Sequence, residues 1–485
     1  MRSRKAESGS ELETSMVRTF AFFALVLLAY ETRADEKPKA SPLVGIWEGT
    51  LKVEKLELRV AFRIREDDGK LTAKLDSIDQ GAKDIPCEKV TLADRKVIIE
   101  VPVIEGGFTG TLAEDGKSIA GEFKQGGGTL PLTLKKVEKL SVVNRPQEPK
   151  KPYPYVEEEV TFENATARIK LAGTLTLPKG KGPFPALVLV TGSGPQDRNE
   201  EILGHKPFLI LADFLTRQGL AVLRYDDRGF GKSGGKFDDA TSQDFATDAA
   251  AAVAFLKTRK EIDAKRIGVA GHSEGGTVAP IVAADHPSDV AFIVLLAGPG
   301  VRGDVILNRQ RVDILKAEGM KDEEIRETSE FYTLVTAMTQ EKLPREELKA
   351  KMIAAMTKYR DALSEERKKE LEAKTFPEIA DKFVDPWMIY FLNYDPKPTL
   401  ARVKCPVLAI TGEFDLQVNA KENLGGIARG LKAGNNSNVT TKELPGLNHL
   451  FQPTKTGAIS EYSRIETTFD SDAMKLVAEW ILGLK

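Results

Sequence analysis

The chain has 485 residues, and its 70 basic side chains nearly balance 72 acidic ones, for a net charge of −2. That balance gives no electrostatic handle on nucleic acid or an anionic membrane surface, so neither is expected as a partner. The length exceeds one ordinary core, so more than one domain is expected; Cys87 and Cys405 fall in different predicted domains, which favours free thiols over a disulfide framework or metal cluster.

Near the N-terminus, Val17-Arg18-Thr19 leads into the apolar run Phe20 to Ala29, followed by Thr32-Arg33-Ala34. A basic residue before about ten apolar ones reads as a secretory signal cleaved near Ala34, with Met16 as a candidate start. Residues 1–34 are therefore expected to be extension and signal, leaving a secreted or periplasmic protein without a stable membrane anchor. The run is short for a transmembrane helix; anchoring by an uncleaved signal is the alternative.

Residues 41–140 have a different texture. Leu56 to Arg65 alternates apolar with mostly polar residues, the period of a half-buried strand. Asp68-Gly69 and Asp115-Gly116 supply hairpin turns, and Trp47, Phe108 and Phe123 recur near glycine-rich corners. An antiparallel barrel or sandwich is expected, limiting substrate size or docking against the rest of the chain. Asp76, Ser77, Asp79 and Gln80 read better as a polar hairpin loop than as groups reaching a distant site. Residues 141–160, with Pro146, Pro149, Pro152 and Pro154, read as a linker.

From residue 161 onward short apolar strands alternate with helical patterns. The strand Ala186 to Val190 ends in Thr191-Gly192-Ser193-Gly194-Pro195-Gln196-Asp197-Arg198, where small residues let main chain approach a developing anion. A strand over Gly219 to Val222 precedes Leu223 to Gly234. Its Gly-x-Gly-x-Ser-Gly run is not a phosphate loop, because only one residue separates Gly229 from Gly231; Asp226 and Arg228 read as a charge lattice in a structural turn. The run Ile267 to Ala270 leads into Gly271-His272-Ser273-Glu274-Gly275, and Thr277 to Ala284 continues as a helix. The pattern is the G-x-S-x-G elbow that presents a serine at a sharp strand-to-helix turn.

After the strand Phe292 to Ala297, residues 303–400 interrupt the alternation. Leu343–Tyr359 and Leu363–Ala373 are amphipathic, Lys/Glu-rich helices, and Phe383 to Phe391 adds aromatics. Trp387, Tyr390 and Phe391 are candidates to line an acyl pocket; a small core of the inserted helices is the equal alternative. The strand Pro406 to Thr411 then delivers Gly412-Glu413-Phe414-Asp415, and the strand Val439 to Leu444 delivers Pro445-Gly446-Leu447-Asn448-His449.

These residues divide the work of acyl transfer. A serine hydroxyl needs a base within hydrogen-bond reach, and the chain offers four histidines. His449 follows the late strand in the order Ser, Asp, His, whereas His205, His272 and His286 read as structural or surface groups. Asp415 would orient His449, with Glu413 as runner-up. The Glu274 amide, next after the nucleophile, and the Ser193 or Gly194 amide would hold the oxyanion, Ser193 being preferred.

Together, the Thr191 to Arg198 loop, Arg224 to Ser233, Gly-His-Ser-Glu-Gly-Gly and the Asp415 and His449 loops resemble α/β-hydrolases of the EstD-like carboxylesterase group, which borders the serine aminopeptidase-like hydrolases. The resemblance covers roughly residue 160 onward. It implies a cofactor-free hydrolase of short acyl esters, often with a similar N-terminal β domain. Thr191 departs from the histidine that many relatives place before the glycine. The expected architecture is an α/β-hydrolase fold over 161–485 with a helical cap at about 303–400, preceded by the antiparallel β domain. The expected activity is Ser273-dependent hydrolysis of small ester substrates, without metal or cofactor. A peptidase acting on small peptides is the nearest competitor, and a non-catalytic binding protein the more distant one.

Overall fold

Alternating apolar residues build the first sheet, strand by strand. Residues 41–53, 56–125 and 128–484 are described here in a computed structural model; the expected signal over 1–34 lies outside them. Strands β1 (Gly45–Val53), β2 (Leu56–Asp67), β3 (Lys70–Ser77), β4 (Ala82–Cys87) and β5 (Lys89–Ala93) come first. They are followed by β6 (Lys96–Val101), β7 (Gly106–Leu112), β8 (Ser118–Gln125) and β9 (Gly128–Val137). The order is β4-β3-β2-β1-β9-β8-β7-β6-β5 with every pairing antiparallel, and β3 touches β5 across the seam. One sheet thus curls into a near-barrel around Trp47, Phe62, Phe108 and Leu134. Asp68 and Gly69, at φ 50° and 75°, form the tight turn between β2 and β3.

The second sheet contains β10 (Val156–Asn164), β11 (Ile169–Leu177), β12 (Phe184–Val190) and β13 (Ala221–Tyr225). It continues with β14 (Ile262–His272), β15 (Phe292–Leu296), β16 (Val407–Gly412) and β17 (Val439–Leu444). The order is β10-β11-β13-β12-β14-β15-β16-β17, antiparallel as far as β13 and parallel beyond it. Strand β13 runs later than the sequence pattern indicates. Gly219, at φ 99°, turns the chain, and Leu223 to Tyr225 are buried sheet rather than loop. The strand β10 begins inside the segment read as a linker.

Strands β12, β15 and β16 are buried on both faces and read as continuous apolar runs, whereas the edge strand β17 is mostly exposed and polar. Helices α1 (Pro207–Arg217) and α12 (Ser471–Gly483) cover one face. Helices α2 (Ser242–Lys257), α3 (Gly275–Asp285), α10 (Pro396–Arg402) and α11 (Ala420–Ala433) cover the other. Between β15 and β16 the chain adds α4 (Gly303–Ala317), α5 (Asp322–Met338), α6 (Arg345–Asp361), α7 (Glu365–Glu370), α8 (Phe376–Phe383) and α9 (Pro386–Asn393). Their shared core includes Phe331, Met352, Met356, Phe376 and Leu392. Order, layers and inserted helices are those of an α/β-hydrolase. The amphipathic stretch read over Leu363–Ala373 shortens to α7, whose N-cap is the Ser364 hydroxyl accepting the Arg367 amide.

Residues 43–485 form one compact unit, and the proline-containing segment is docked within it. Arg145 donates to the carbonyls of Gly204 (3.0 Å), Ser463 (2.8 Å) and Ile465 (2.8 Å). The Gln147 side-chain carbonyl accepts from the amides of Thr468 and Phe469. These side chains satisfy loop backbone that has no ladder partner.

Strand order reverses between β12 and β14, the switch point where open α/β sheets gather ligands. There the main chain closes to contact. A Cβ on Gly275 would lie 2.3 Å from the Val190 carbonyl oxygen, and one on Gly271 would lie 1.8 Å from the Gly275 oxygen. Both obstacles are backbone and cannot swing aside. The variant Gly275→Ala is therefore expected to lose about 1–3 kcal/mol or more in urea unfolding. An unchanged midpoint and slope would contradict the close-packed elbow.

Candidate active site

Loops leaving β12, β14, β16 and β17 converge at the switch point. Ser273 stands at the tip of the β14–α3 turn with φ 52°, a left-handed backbone unusual for serine. Such strain costs on the order of 1–3 kcal/mol and persists only where the surroundings impose it. Here the Ser273 amide donates to Leu296 O at 2.9 Å, and the glycine contacts fix both flanks. The serine side chain stays partly exposed while its neighbours His272 and Glu274 are buried.

His449 and Asp415 meet as expected. His449 Nδ1 lies 2.8 Å from Asp415 Oδ2, with the two side chains 4% and 0% exposed. Asp415 Oδ1 accepts the amides of Gln417 (2.9 Å) and Val418 (2.8 Å), which fix its carboxylate plane. Glu413 instead accepts the Gly446 amide at 3.0 Å, so the runner-up braces the turn of the histidine loop.

The β12 exit loop lies against the serine. A Cβ on Gly192 would approach Ser273 Cβ to 3.3 Å. The Gly192 amide donates to Glu200 Oε1 at 2.8 Å, which leaves the next amide along, that of Ser193, as a candidate donor. Thr191 donates its hydroxyl to Asp227 Oδ1 at 2.7 Å; the departure from histidine thus serves loop bracing.

The Glu274 side chain makes contacts that the motif alone does not display. Its carboxylate is buried and accepts from Ser242 Oγ (2.6 Å) and Trp387 Nε1 (2.7 Å), joining α2 and α9 to the residue after the serine. Trp387 therefore reaches the site through a hydrogen bond, stacked on Phe391 with centroids 5.4 Å apart. Tyr390 is stacked on Tyr394 instead, at 5.4 Å. A cavity of about 10 Å³, roughly one water in size, is bordered by Gly192, Asp227 and Glu274. A much larger one, about 610 Å³, lies between the first sheet and the 201–206 loop and touches none of these groups.

The remaining expected groups fall away from the serine. Asp76 and Asp79 pair with Arg63 (2.6 Å) and Arg59 (2.5 Å) within the first sheet, and Ser77 donates to Gln80. Asp226 holds Arg198 through two bonds, and Arg228 holds Asp248 at 2.7 Å, the charge lattice expected there. His286 ends α3. His205 is fully buried between Thr468 and the Tyr462 carbonyl, and burial lowers its pKa to about 4. His272 proves more central than its reading as a structural or surface group implies, since its ring lies 4.8 Å from that of His449. Sequence reasoning missed Glu200 altogether. It sits in a polar loop at φ 55°, a left-handed position filled by an acid rather than by glycine or asparagine. Among the described residues no group of His, Cys, Asp or Glu side chains is arranged to hold a metal ion.

Burial pushes the Asp227 carboxyl up to about 8, opposed by bonds from Thr191 and the Gln196 amide and reinforced by Glu274 and Glu200. In the unfolded chain it would ionise near 3.8. Between those values the folded state binds the extra proton, so this group's stabilisation declines as pH rises from about 4 to 8. Asparagine reproduces the protonated form, donating to Thr191 Oγ1 and accepting from Gln196 N. Relative to wild type, Asp227→Asn should thus gain stability by up to about 1.4 kcal/mol per pH unit across that window. Denaturant titrations at several pH values check this; parallel curves for the two proteins would contradict it.

A family model described as X-Pro dipeptidyl-peptidase (S15 family) matches residues 168–425. Esterase EstD of Thermotoga maritima is 30% identical over 272 residues, covering 55% of this chain and 55% of EstD. The chain thus spans about half the length of that curated relative. Among solved structures, an esterase of Pyrococcus furiosus overlaps 71% of this chain and 98% of its own, with 19% identity and a TM-score of 0.40. Est1E of Butyrivibrio proteoclasticus, solved with ferulic acid bound, overlaps 66% and 96%, with 16% identity and a TM-score of 0.37. With more than half its length matched, the chain belongs to the X-Pro dipeptidyl-peptidase (S15) family of α/β-hydrolases, bordered by EstD-type esterases.

Proposed function

We propose that the protein is a serine hydrolase of carboxylic esters with short acyl chains, acting through Ser273, His449 and Asp415. The observation that carries the proposal is the buried His449–Asp415 bond of 2.8 Å at the switch point where Ser273 is held at φ 52°. In this reading Ser273 Oγ attacks the ester carbonyl as His449 Nε2 takes its proton, and Asp415 stabilises the imidazolium through Nδ1. The Glu274 and Ser193 amides receive the oxyanion, and each such donor is worth roughly 10²–10³ in rate. His449 returns the proton to the departing alcohol, leaving an acyl-Ser273 ester. Water then adds with His449 as base, and the acid leaves as Ser273 regains its proton.

Peptide hydrolysis is the second reading, favoured by the S15 family match and by the buried carboxyl of Glu274 next to the serine. It uses the same triad and differs in the leaving amine. The two readings separate on a panel of p-nitrophenyl acyl esters against aminoacyl and dipeptidyl amides. Short-chain esters are expected to be the better substrates by kcat/KM. Ser273→Ala should lower kcat by at least about 10³-fold and Asp415→Asn by about 10²–10⁴-fold. Amide substrates exceeding every ester would overturn the ester reading, and full activity in Ser273→Ala would overturn both.

Export is also proposed, from the basic-apolar-small pattern ahead of Asp35. N-terminal sequencing of the mature protein should then begin near Asp35. A mature chain that retains Phe20 to Ala29 would contradict cleavage.

A further inference from the structure

One buried ion pair links the three loops that the proposed chemistry needs in register. His272 Nδ1 lies 2.8 Å from Glu200 Oε1, and His272 Nε2 lies 2.9 Å from the main-chain carbonyl of His449. The two side chains are 7% and 2% exposed. A main-chain carbonyl only accepts, so Nε2 must carry a proton. Glu200 Oε1 already accepts the Gly192 amide at 2.8 Å. An oxygen receiving one N–H is better suited as a carboxylate acceptor for a second than as a hydroxyl donor, which places a proton on Nδ1 as well.

We propose that His272 is a fixed imidazolium and that the Glu200–His272 pair positions nucleophile, oxyanion donor and base relative to one another. The claim rests on the ester-hydrolase reading for its catalytic part, whereas the protonation state stands without it. Each end of the pair adjoins a working group. Gly192 precedes Ser193, His272 precedes Ser273, and the carbonyl bound by Nε2 belongs to His449 itself. The titratable groups facing His272 are Glu200 from the β12 loop, Asp415 from the β16 loop and His449 from the β17 loop; the Phe451 ring closes another side with its centroid 6.3 Å away. Burial opposes the charge, yet the Glu200 carboxylate and the His449 carbonyl outweigh it, and the net direction is upward from the ordinary histidine value. Glu200 Oε2 is buried without a partner, so the charge of Glu200 is answered on the Oε1 side alone. Removing His272 would leave that carboxylate beside the oxyanion loop with only an amide to hold it.

The chain has four histidines, so ¹⁵N-histidine labelling of the whole protein resolves them. His272 should show two slowly exchanging ring N–H signals that persist across the pH range in which an ordinary histidine, with a pKa of about 6.5, loses its proton. They are assigned by their loss in H272F or, if that variant does not fold, by their shift in E200Q. A single ring N–H at His272, or titration to neutrality within that range, overturns the imidazolium. For the positioning role, E200Q should lower kcat on the best ester about 10-fold or more with KM within about twofold, while melting as a folded protein. An unchanged kcat overturns positioning. If the wild type turns over no ester, the proposed function fails, and the nitrogen signals still decide the state of His272.

Discussion

The site depends on main chain touching main chain where β14 leaves the sheet beside β12. Gly275 lies against the Val190 carbonyl and Gly271 against the Gly275 carbonyl, at separations that any Cβ would violate. This contact forces the reversal that puts Ser273 in the left-handed region and turns its side chain out of the core. Because Val190 is also the last residue of β12, the same contact brings the Gly192–Ser193 amides to the serine. Candidate nucleophile and candidate oxyanion donor are thus located by one steric constraint rather than by two independent loops.

Around that constraint the structure collects buried acids and handles them in different ways. Asp415 accepts three N–H groups and is held as the partner of His449. Glu200 is matched to His272 and a single amide. Asp227 and Glu274 have raised pKa values because burial dominates. An isolated carboxylate in such surroundings costs several kcal/mol, so keeping a proton is the cheaper state where no cation is within reach.

Strand identities were legible because a fully buried parallel strand leaves a short apolar run, as Ile267–Ala270 and Pro406–Thr411 do; Val439–Leu444 is instead a mostly exposed edge strand with β-branched residues. Asp415 and His449 were legible for a related reason: each is a polar residue in the loop that follows such a strand. Glu200 was not, since its role comes from a hydrogen bond to a histidine 72 residues away, and nothing local distinguishes it from the solvated acids around it. His272, read as structural or surface, is buried, and its partners were not legible because Glu200 and the His449 carbonyl are both remote in sequence. The segment 141–160 misled in another way. Its prolines signal extended chain, but Arg145 and Gln147 bind loop carbonyls and amides that no sequence pattern announces, and β10 begins within it.

Those contacts also suggest what the first sheet contributes. A Cβ on Gly81 would lie 2.7 Å from the Gly204 amide, so the β3–β4 hairpin bears directly on the loop that carries Glu200. Arg145 clamps the same loop at Gly204. Under the proposed reading, the near-barrel acts on catalysis through this loop, not by sending its own acids to the serine. The central claim, that Ser273 is an activated nucleophile, is tested most directly by fluorophosphonate labelling with mass-spectrometric mapping of the adduct. The account predicts one adduct, on Ser273, absent from Ser273→Ala and slowed in Asp415→Asn; a folded wild type that takes no label, or takes it elsewhere, would contradict it.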